Sequence, residues 1–142
     1  MTVQFSAQPA ITDTNWKWWA LAGITLGVVA VGLDVTVLSV ALPTLATALK
    51  ASESDLQWFS SAYAVVLAAT MLPAGVLGDR FGRKKMMVGA LVLFGAASLA
   101  CAYSPSPAAF IAARALLGVA AAAIVVMALS TTTVLFSEKE LP

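Results

Sequence analysis

The sequence contains no histidine and a single cysteine, Cys101, and only 11% of its 142 residues are charged. A lone cysteine cannot form an internal disulfide, and without histidine the usual zinc site has too few ligands. The net charge is only +1, and no basic stretch is interleaved with aromatic residues as in nucleic-acid-binding surfaces. Neither a nucleophile–base pair nor a phosphate-binding loop appears. We therefore expect no metal, no cofactor, no nucleic-acid partner and no enzymatic activity.

Apolar residues are abundant instead. They make up 61% of the chain, and the mean hydropathy is +0.92. A soluble domain of this length could not bury so much apolar surface. Since a membrane-spanning helix needs roughly 20 apolar residues, we predict an all-α membrane protein with four transmembrane helices. Their predicted ranges are about 18–49, 55–78, 86–103 and 108–136, preceded by a cytoplasmic tail at 1–15.

Local signals refine these spans. Proline inside a membrane helix commonly bends it, so Pro43 and Pro73 are predicted kinks in the first and second spans. Ser54 and Gln57 have the spacing of a capping box, which predicts the start of the second span there.

The basic residues are distributed unevenly between the connections. The stretch between the second and third predicted spans contains four of them, Arg80, Arg83, Lys84 and Lys85, whereas the first connection contains only Lys50. Because loops rich in lysine and arginine stay on the cytoplasmic side, we predict that this loop and both termini are cytoplasmic.

Two charged residues, Asp34 and Arg114, interrupt the predicted spans. A charge at the centre of a span costs at least about 2.5–3.5 kcal/mol on insertion scales, so such residues usually have a partner or a function. One interpretation is a structural ion pair that only orders the helices. The other is a site that binds a proton or a cation.

Helical spacing places small residues on the same faces as these charges. The face of Asp34 contains Gly23, Gly27, Ala30, Val37 and Ala41. The face of Arg114 contains Phe110 and Ile111 and is small on the side predicted to be cytoplasmic, where it contains Gly118, Ala121 and Ala122. We therefore expect both charges to point towards protein. Their predicted depths differ by about 9 Å, which leaves both a direct and a water-mediated pair open. An aspartate beside a permanently charged arginine could bind and release a proton.

Three segments resemble motifs of a known family. Residues 75–85, GVLGDRFGRKK, closely resemble the major facilitator superfamily loop signature G-x-L-a-D-r-x-G-r-k-k. Residues 33–43, LDVTVLSVALP, resemble the first-span motif L-D-x-T-V-x-N-V-A-L-P of its fourteen-helix drug:proton antiporters, with Ser39 in place of asparagine. Residues 114–122, RALLGVAAA, resemble the fourth-span motif R-x-x-q-G-x-g-a-a.

The resemblance implies secondary active, proton-coupled export of drugs or lipophilic cations across the cell membrane, driven by the proton gradient. It assigns proton or cation coupling to Asp34 and Arg114. It also assigns cytoplasmic gating to residues of the loop signature: Gly75, Gly78, Asp79, Arg80, Gly82, Arg83 and Lys84. The expected partners are the lipid bilayer, protons and a small-molecule drug or cation.

The resemblance also bears on length, because such transporters have twelve or fourteen spans. We therefore expect residues 16–142 to be the N-terminal portion of a transporter domain whose C-terminal helices are missing, and we do not expect this portion to transport alone. Three alternatives remain: a facilitator-superfamily metabolite carrier, a complete small four-span exporter that acts as an oligomer, and a membrane partner that does not transport.

Overall fold

The computed structural model describes the backbone of residues 14–137 and, within that range, the side chains of residues 18–19 and 21–133. It contains four helices: α1 (Thr14–Ala48), α2 (Glu53–Phe81), α3 (Arg83–Ala102) and α4 (Pro107–Ser137). All four are long and apolar enough to cross a membrane. The predicted all-α architecture with four membrane-length helices is therefore confirmed. Residues 1–13 of the predicted tail lie outside the described residues.

The helix α4 lies at the centre of the packing. It contacts each of the other three helices, most extensively α2 and α3, whereas α1 contacts it over fewer residues. In its most apolar window 61% of the residues are buried, compared with 17%, 22% and 11% for α1, α2 and α3. Small side chains allow α4 to pack between the other helices, because they let neighbouring backbones approach closely. Four consecutive alanines of α4 are buried: Ala120, Ala121, Ala122 and Ala123.

The basic stretch between α2 and α3 is not a loop, contrary to our prediction. The helix α2 continues through Asp79 and Arg80, α3 begins at Arg83, and Gly82 alone separates them. The φ angle of Gly82 is +95°, in a region that side-chain-bearing residues rarely adopt. Because the residues on both sides of Gly82 are helical, the chain changes direction at this single glycine.

The cap of α2 also differs from the prediction. The cap is Ser52, whose hydroxyl accepts a hydrogen bond from the Asp55 amide at 3.2 Å, while the Asp55 carboxylate accepts one from the Ser52 amide at 2.9 Å. The predicted box of Ser54 and Gln57 was wrong. The reason lies just upstream, where Lys50 adopts a left-handed φ of +49° and ends α1 early, so the next helix begins at Glu53.

Both membrane prolines lie within continuous helices. Pro43 is inside α1 and Pro73 inside α2. Their role as kinks stays a prediction.

Candidate functional site

Asp34 of α1 and Arg114 of α4 form a direct ion pair. The Nη1 of Arg114 donates to Oδ2 of Asp34 at 2.6 Å. The arginine side chain is 3% exposed and the aspartate side chain 18% exposed. Of the two arrangements that the sequence left open, the structure contains the direct one. A pair so withdrawn from solvent depends on its further hydrogen bonds to offset desolvation.

The helix α2 supplies two more contacts to the same guanidinium. The Nε of Arg114 donates to the backbone carbonyl of Phe59 at 3.0 Å. The Cζ of Arg114 lies 4.5 Å from the centroid of the Tyr63 ring, within the range of a cation–π interaction. Arginine suits this site because its planar group can bond in several directions and also lie against a ring.

Sequence reasoning missed both contacts from α2. A carbonyl carries no sequence signal, and a tyrosine in an apolar helix usually indicates a core or interfacial residue. The available signal was the spacing of Phe59 and Tyr63, which are four residues apart and therefore share a face. Phe59 also packs on Phe110 of α4, with ring centroids 4.6 Å apart, so the carbonyl comes from a well-packed turn.

The predicted face around Arg114 is confirmed as a packing surface. Phe110, Gly118, Ala121 and Ala122 are buried and Ile111 is partly buried. A Cβ on Gly118 would lie 2.7 Å from the carbonyl oxygen of Tyr63 and 3.2 Å from the amide nitrogen of Leu67. The backbones of α2 and α4 therefore touch here, one turn from Arg114.

The predicted small-residue face around Asp34 is confirmed only in part. Gly27 packs closely, since a Cβ there would lie 3.1 Å from Leu91 and 3.3 Å from Ile124. By contrast, a Cβ on Gly23 would meet nothing within 4 Å among the described residues, and Val37 is 61% exposed. Asp34 itself points towards protein, as predicted, because α1 is seated on α3 and α4 at Gly27, two turns away.

A partly open cavity of about 240 Å³ lies beside the ion pair. It is bounded by α1, α3 and α4. Apart from the pair and Ser98 its wall is mostly apolar, and Leu38, Cys101 and Phe110 are among its lining residues. A water molecule takes up about 30 Å³ in the liquid, so the space can hold several. The carboxylate of Asp34 thus faces both an immobilised cation and a space that can admit water or a small ligand.

At the other end of the bundle, Arg83 links three helices. Its Nη1 donates to the backbone carbonyl of Ser130 on α4 at 3.0 Å, and its Nη2 lies 3.7 Å from Oδ1 of Asp79 on α2. The remaining basic members of the predicted gating set are exposed: Arg80, on the last turn of α2, and Lys84, on the first turn of α3. Their role in gating stays a prediction.

The three glycines of this motif have different surroundings. Gly82 makes the turn described above. Gly78 is helical and buried, and a Cβ there would collide with the thioether of Met127. At Gly75 a Cβ would lie 3.6 Å from Val126, an ordinary contact distance. Gly78 is therefore a packing residue of the α2–α4 interface.

Comparison with known proteins agrees with the three motifs. The family model described as Major Facilitator Superfamily matches residues 24–142. The methyl viologen resistance protein SmvA of Salmonella typhimurium (strain LT2) is 42% identical over 124 residues, which cover 87% of this chain and 25% of that protein. The puromycin resistance protein pur8 of Streptomyces alboniger is 37% identical over 122 residues, covering 86% of this chain and 24% of that protein.

A mycobacterial relative aligns with nearly the whole chain. The multidrug efflux pump LfrA of Mycolicibacterium smegmatis is 34% identical over 139 residues, which cover 97% of this chain and 28% of that protein. The chain thus spans about a quarter of the length of the relatives it matches. The family model covers most of the chain, and the matching motifs lie on four membrane-length helices. The chain therefore belongs to the major facilitator superfamily, a family of multi-pass membrane transporters rather than enzymes.

Proposed function

We propose that this chain is part of a secondary active transporter that exports drugs or lipophilic cations in exchange for protons, with Asp34 as the proton-binding group. The observation that carries the proposal is the position of the Asp34 carboxylate between a buried guanidinium and a cavity. Two of the three motifs meet there, since the pair joins the first-span motif to the fourth-span motif.

The chemistry follows from the two protonation states of one carboxyl group. Ionised Asp34 balances the charge of Arg114 and ties α1 to α4. Protonated Asp34 no longer balances that charge, so the electrostatic link between the helices weakens. Arginine remains charged throughout and cannot itself carry the proton. A proton entering from the cavity would therefore change how firmly α1 is held, which is the kind of change that alternating access requires.

The relatives support export of drugs. Their names describe resistance to methyl viologen, resistance to puromycin and multidrug efflux. We extend these activities to this chain only as a proposal, with the proton gradient as the energy source and no cofactor. The alternative function, a metabolite carrier, would have the same fold but a different substrate.

We further propose that the protein lies in the cell membrane with both ends of the described bundle on the cytoplasmic side. The four basic residues around Gly82 support this orientation, because such clusters are retained in the cytoplasm. In this orientation the contacts of Arg83 lie at the cytoplasmic mouth, where opening and closing would break or form them.

The relatives are about three and a half times as long as this chain. Transporters of this family bind substrate between two six-helix halves. We therefore propose that residues 16–142 form the N-terminal portion of such a transporter, and that further helices of the same transporter complete the substrate site. Expressed alone, residues 1–142 should not export drugs.

The test measures ethidium efflux from preloaded cells of an efflux-deficient bacterium that expresses the whole reading frame containing this sequence. We expect efflux that a protonophore abolishes, and we expect Asp34→Asn to abolish it as well. The matched control is Glu53→Gln, which removes an exposed acid at the start of α2 and should leave efflux unchanged.

Two results would overturn the proposal. If the protonophore leaves efflux intact, the transport is not proton-coupled, and if Asp34→Asn exports normally, the pair is only structural. Absence of drug efflux together with proton-linked uptake or release of a metabolite would favour the metabolite carrier.

A further inference from the structure

We propose that Tyr63 is a positioning residue, which holds Arg114 in place through the face of its aromatic ring when Asp34 is neutral. Tyr63 is 6% exposed, and the Cζ of Arg114 lies 4.5 Å from its ring centroid. The negative face of an aromatic ring attracts a guanidinium, and the attraction is stronger where both groups are withdrawn from water.

The ring, and not the hydroxyl, makes this contact. The hydroxyl of Tyr63 is buried and has no hydrogen-bond partner among the residues that the structure describes. A buried hydroxyl without a partner opposes folding. Among the described residues it is therefore the ring that serves the site, and we expect phenylalanine to replace Tyr63 without loss.

The close approach of α2 to α4 sets the position of the ring. A Cβ at residue 118 would lie 2.7 Å from the Tyr63 carbonyl oxygen, so only glycine lets the two backbones approach so closely. The Phe59 carbonyl, one turn away on the same helix, accepts from the Nε of Arg114. Thus α2 supplies two contacts to the guanidinium, and neither depends on protonation.

These two contacts matter because the third contact of Arg114, the ion pair with Asp34, depends on the protonation of Asp34. Among the described residues, the titratable groups that face Arg114 or share its cavity are Asp34 from α1, Tyr63 from α2 and Cys101 from α3. When Asp34 binds a proton, Arg114 loses its counter-charge and keeps only the ring and the Phe59 carbonyl. The ring therefore keeps the guanidinium of Arg114 in place while Asp34 is neutral. When Asp34 later loses its proton, the ion pair with Arg114 can form again.

A double-mutant cycle on the purified protein tests this contact without any transport measurement. Asp34→Asn imitates the neutral acid, and thermal stability in detergent is measured for Tyr63→Phe and Tyr63→Leu in both backgrounds. We expect Tyr63→Phe to match the parent protein in each background. We expect Tyr63→Leu to lower Tm by at least about 3 °C more in the Asp34→Asn background than in the parent.

The matched control is Tyr103→Leu, the same substitution at an 83% exposed tyrosine, whose effect should add to that of Asp34→Asn. If the Tyr63→Leu protein does not fold, Tyr63→Met offers a similar apolar volume without an aromatic face. Additive effects at Tyr63 would overturn the inference, since they indicate an ordinary core residue. Equal losses for Tyr63→Phe and Tyr63→Leu would also overturn it, since they indicate a role for the hydroxyl.

The consequence for transport rests on the proposed function, so the two can fail separately. We expect Tyr63→Phe to retain proton-dependent ethidium efflux and Tyr63→Leu to lose it at equal expression. If the parent transporter exports no drug, the proposed function fails while the stability cycle still decides the role of Tyr63. If the parent exports and the cycle is additive, only the role of Tyr63 is refuted.

Discussion

The carbonyl oxygen of Tyr63 lies 2.7 Å from the point that a β-carbon on Gly118 would occupy. This contact brings the backbones of α2 and α4 together one turn from Arg114. It explains how an arginine in a membrane helix is surrounded by protein, with the Phe59 carbonyl and the Tyr63 ring on α2 and the Asp34 carboxylate on α1. The geometry of the candidate site therefore depends on a glycine that does not touch Arg114 itself.

Substitution of the α2–α4 glycines should reveal this dependence. Gly118→Ala would press a methyl group into the backbone of α2, which cannot easily move, and we expect a loss of about 1–3 kcal/mol. Gly78→Ala should cost less, because the colliding atoms belong to the end of the flexible Met127 side chain. Gly75→Ala is the control, since its β-carbon would make only an ordinary contact at 3.6 Å. Thermal unfolding in detergent should rank the three in this order, and equal stability of the Gly118 and Gly75 variants would refute it.

Arg114→Lys should show that charge alone is insufficient at this site. A lysine ammonium cannot reproduce both directed bonds of the guanidinium, to Oδ2 of Asp34 and to the carbonyl of Phe59. A lost hydrogen bond to a charged group is worth about 1.5–3 kcal/mol, so we expect the rate of drug efflux to fall about tenfold or more. Lys85→Arg, an exchange between the same two residue types at an exposed position, should leave efflux unchanged. An Arg114→Lys transporter with normal efflux would show that the directed bonds are dispensable.

Substitution of two serines near the start of α2 distinguishes the observed cap, Ser52, from the predicted one, Ser54. Ser52→Ala removes the hydroxyl that accepts from the Asp55 amide, and loss of such a cap typically costs about 1 kcal/mol. Ser54→Ala alters an exposed residue inside the helix, and we expect a change within about 0.5 kcal/mol. Thermal stability of the two variants measured side by side decides between them, and a larger loss at Ser54 would contradict the structure.

The basic residues around Gly82 allow membrane orientation to be separated from gating. Arg83→Gln and Lys85→Gln remove the same charge from the same basic cluster. Only Arg83 is seen to join α3 to the Ser130 carbonyl on α4, while its pairing with Asp79 is exposed and long enough to contribute little. We expect Arg83→Gln to slow efflux at normal membrane insertion and Lys85→Gln to have little effect. Equal effects of both substitutions would indicate that the cluster acts only through orientation.

Much of the architecture was predictable from residues close together in the chain. Hydropathy located all four helices, and the largest difference at any end is four residues, at the start of α1. The sequence also marked Asp34 and Arg114 as possible partners, since an isolated charge in a membrane span is costly, but it left a direct and a water-mediated pair open. The errors were local as well: Ser54 was chosen over Ser52, and residues 79–85 were taken for a loop. Each error lies beside one residue with a positive φ angle, Lys50 before α2 and Gly82 between α2 and α3. The type of a residue only partly determines whether it adopts such a conformation.

The sequence by itself determined that the chain is a bundle of membrane helices, because a backbone in lipid must satisfy its hydrogen bonds within each helix, and runs of apolar residues select the segments that do so. It also determined which residues are exceptional there, Asp34 and Arg114 above all. The tertiary structure alone decided what surrounds them. The carbonyl of Phe59 and the ring of Tyr63 reach Arg114 because α2 and α4 touch at Gly118. These contacts join residues about fifty positions apart, and they depend on the rotation and spacing of whole helices, which no local pattern encodes.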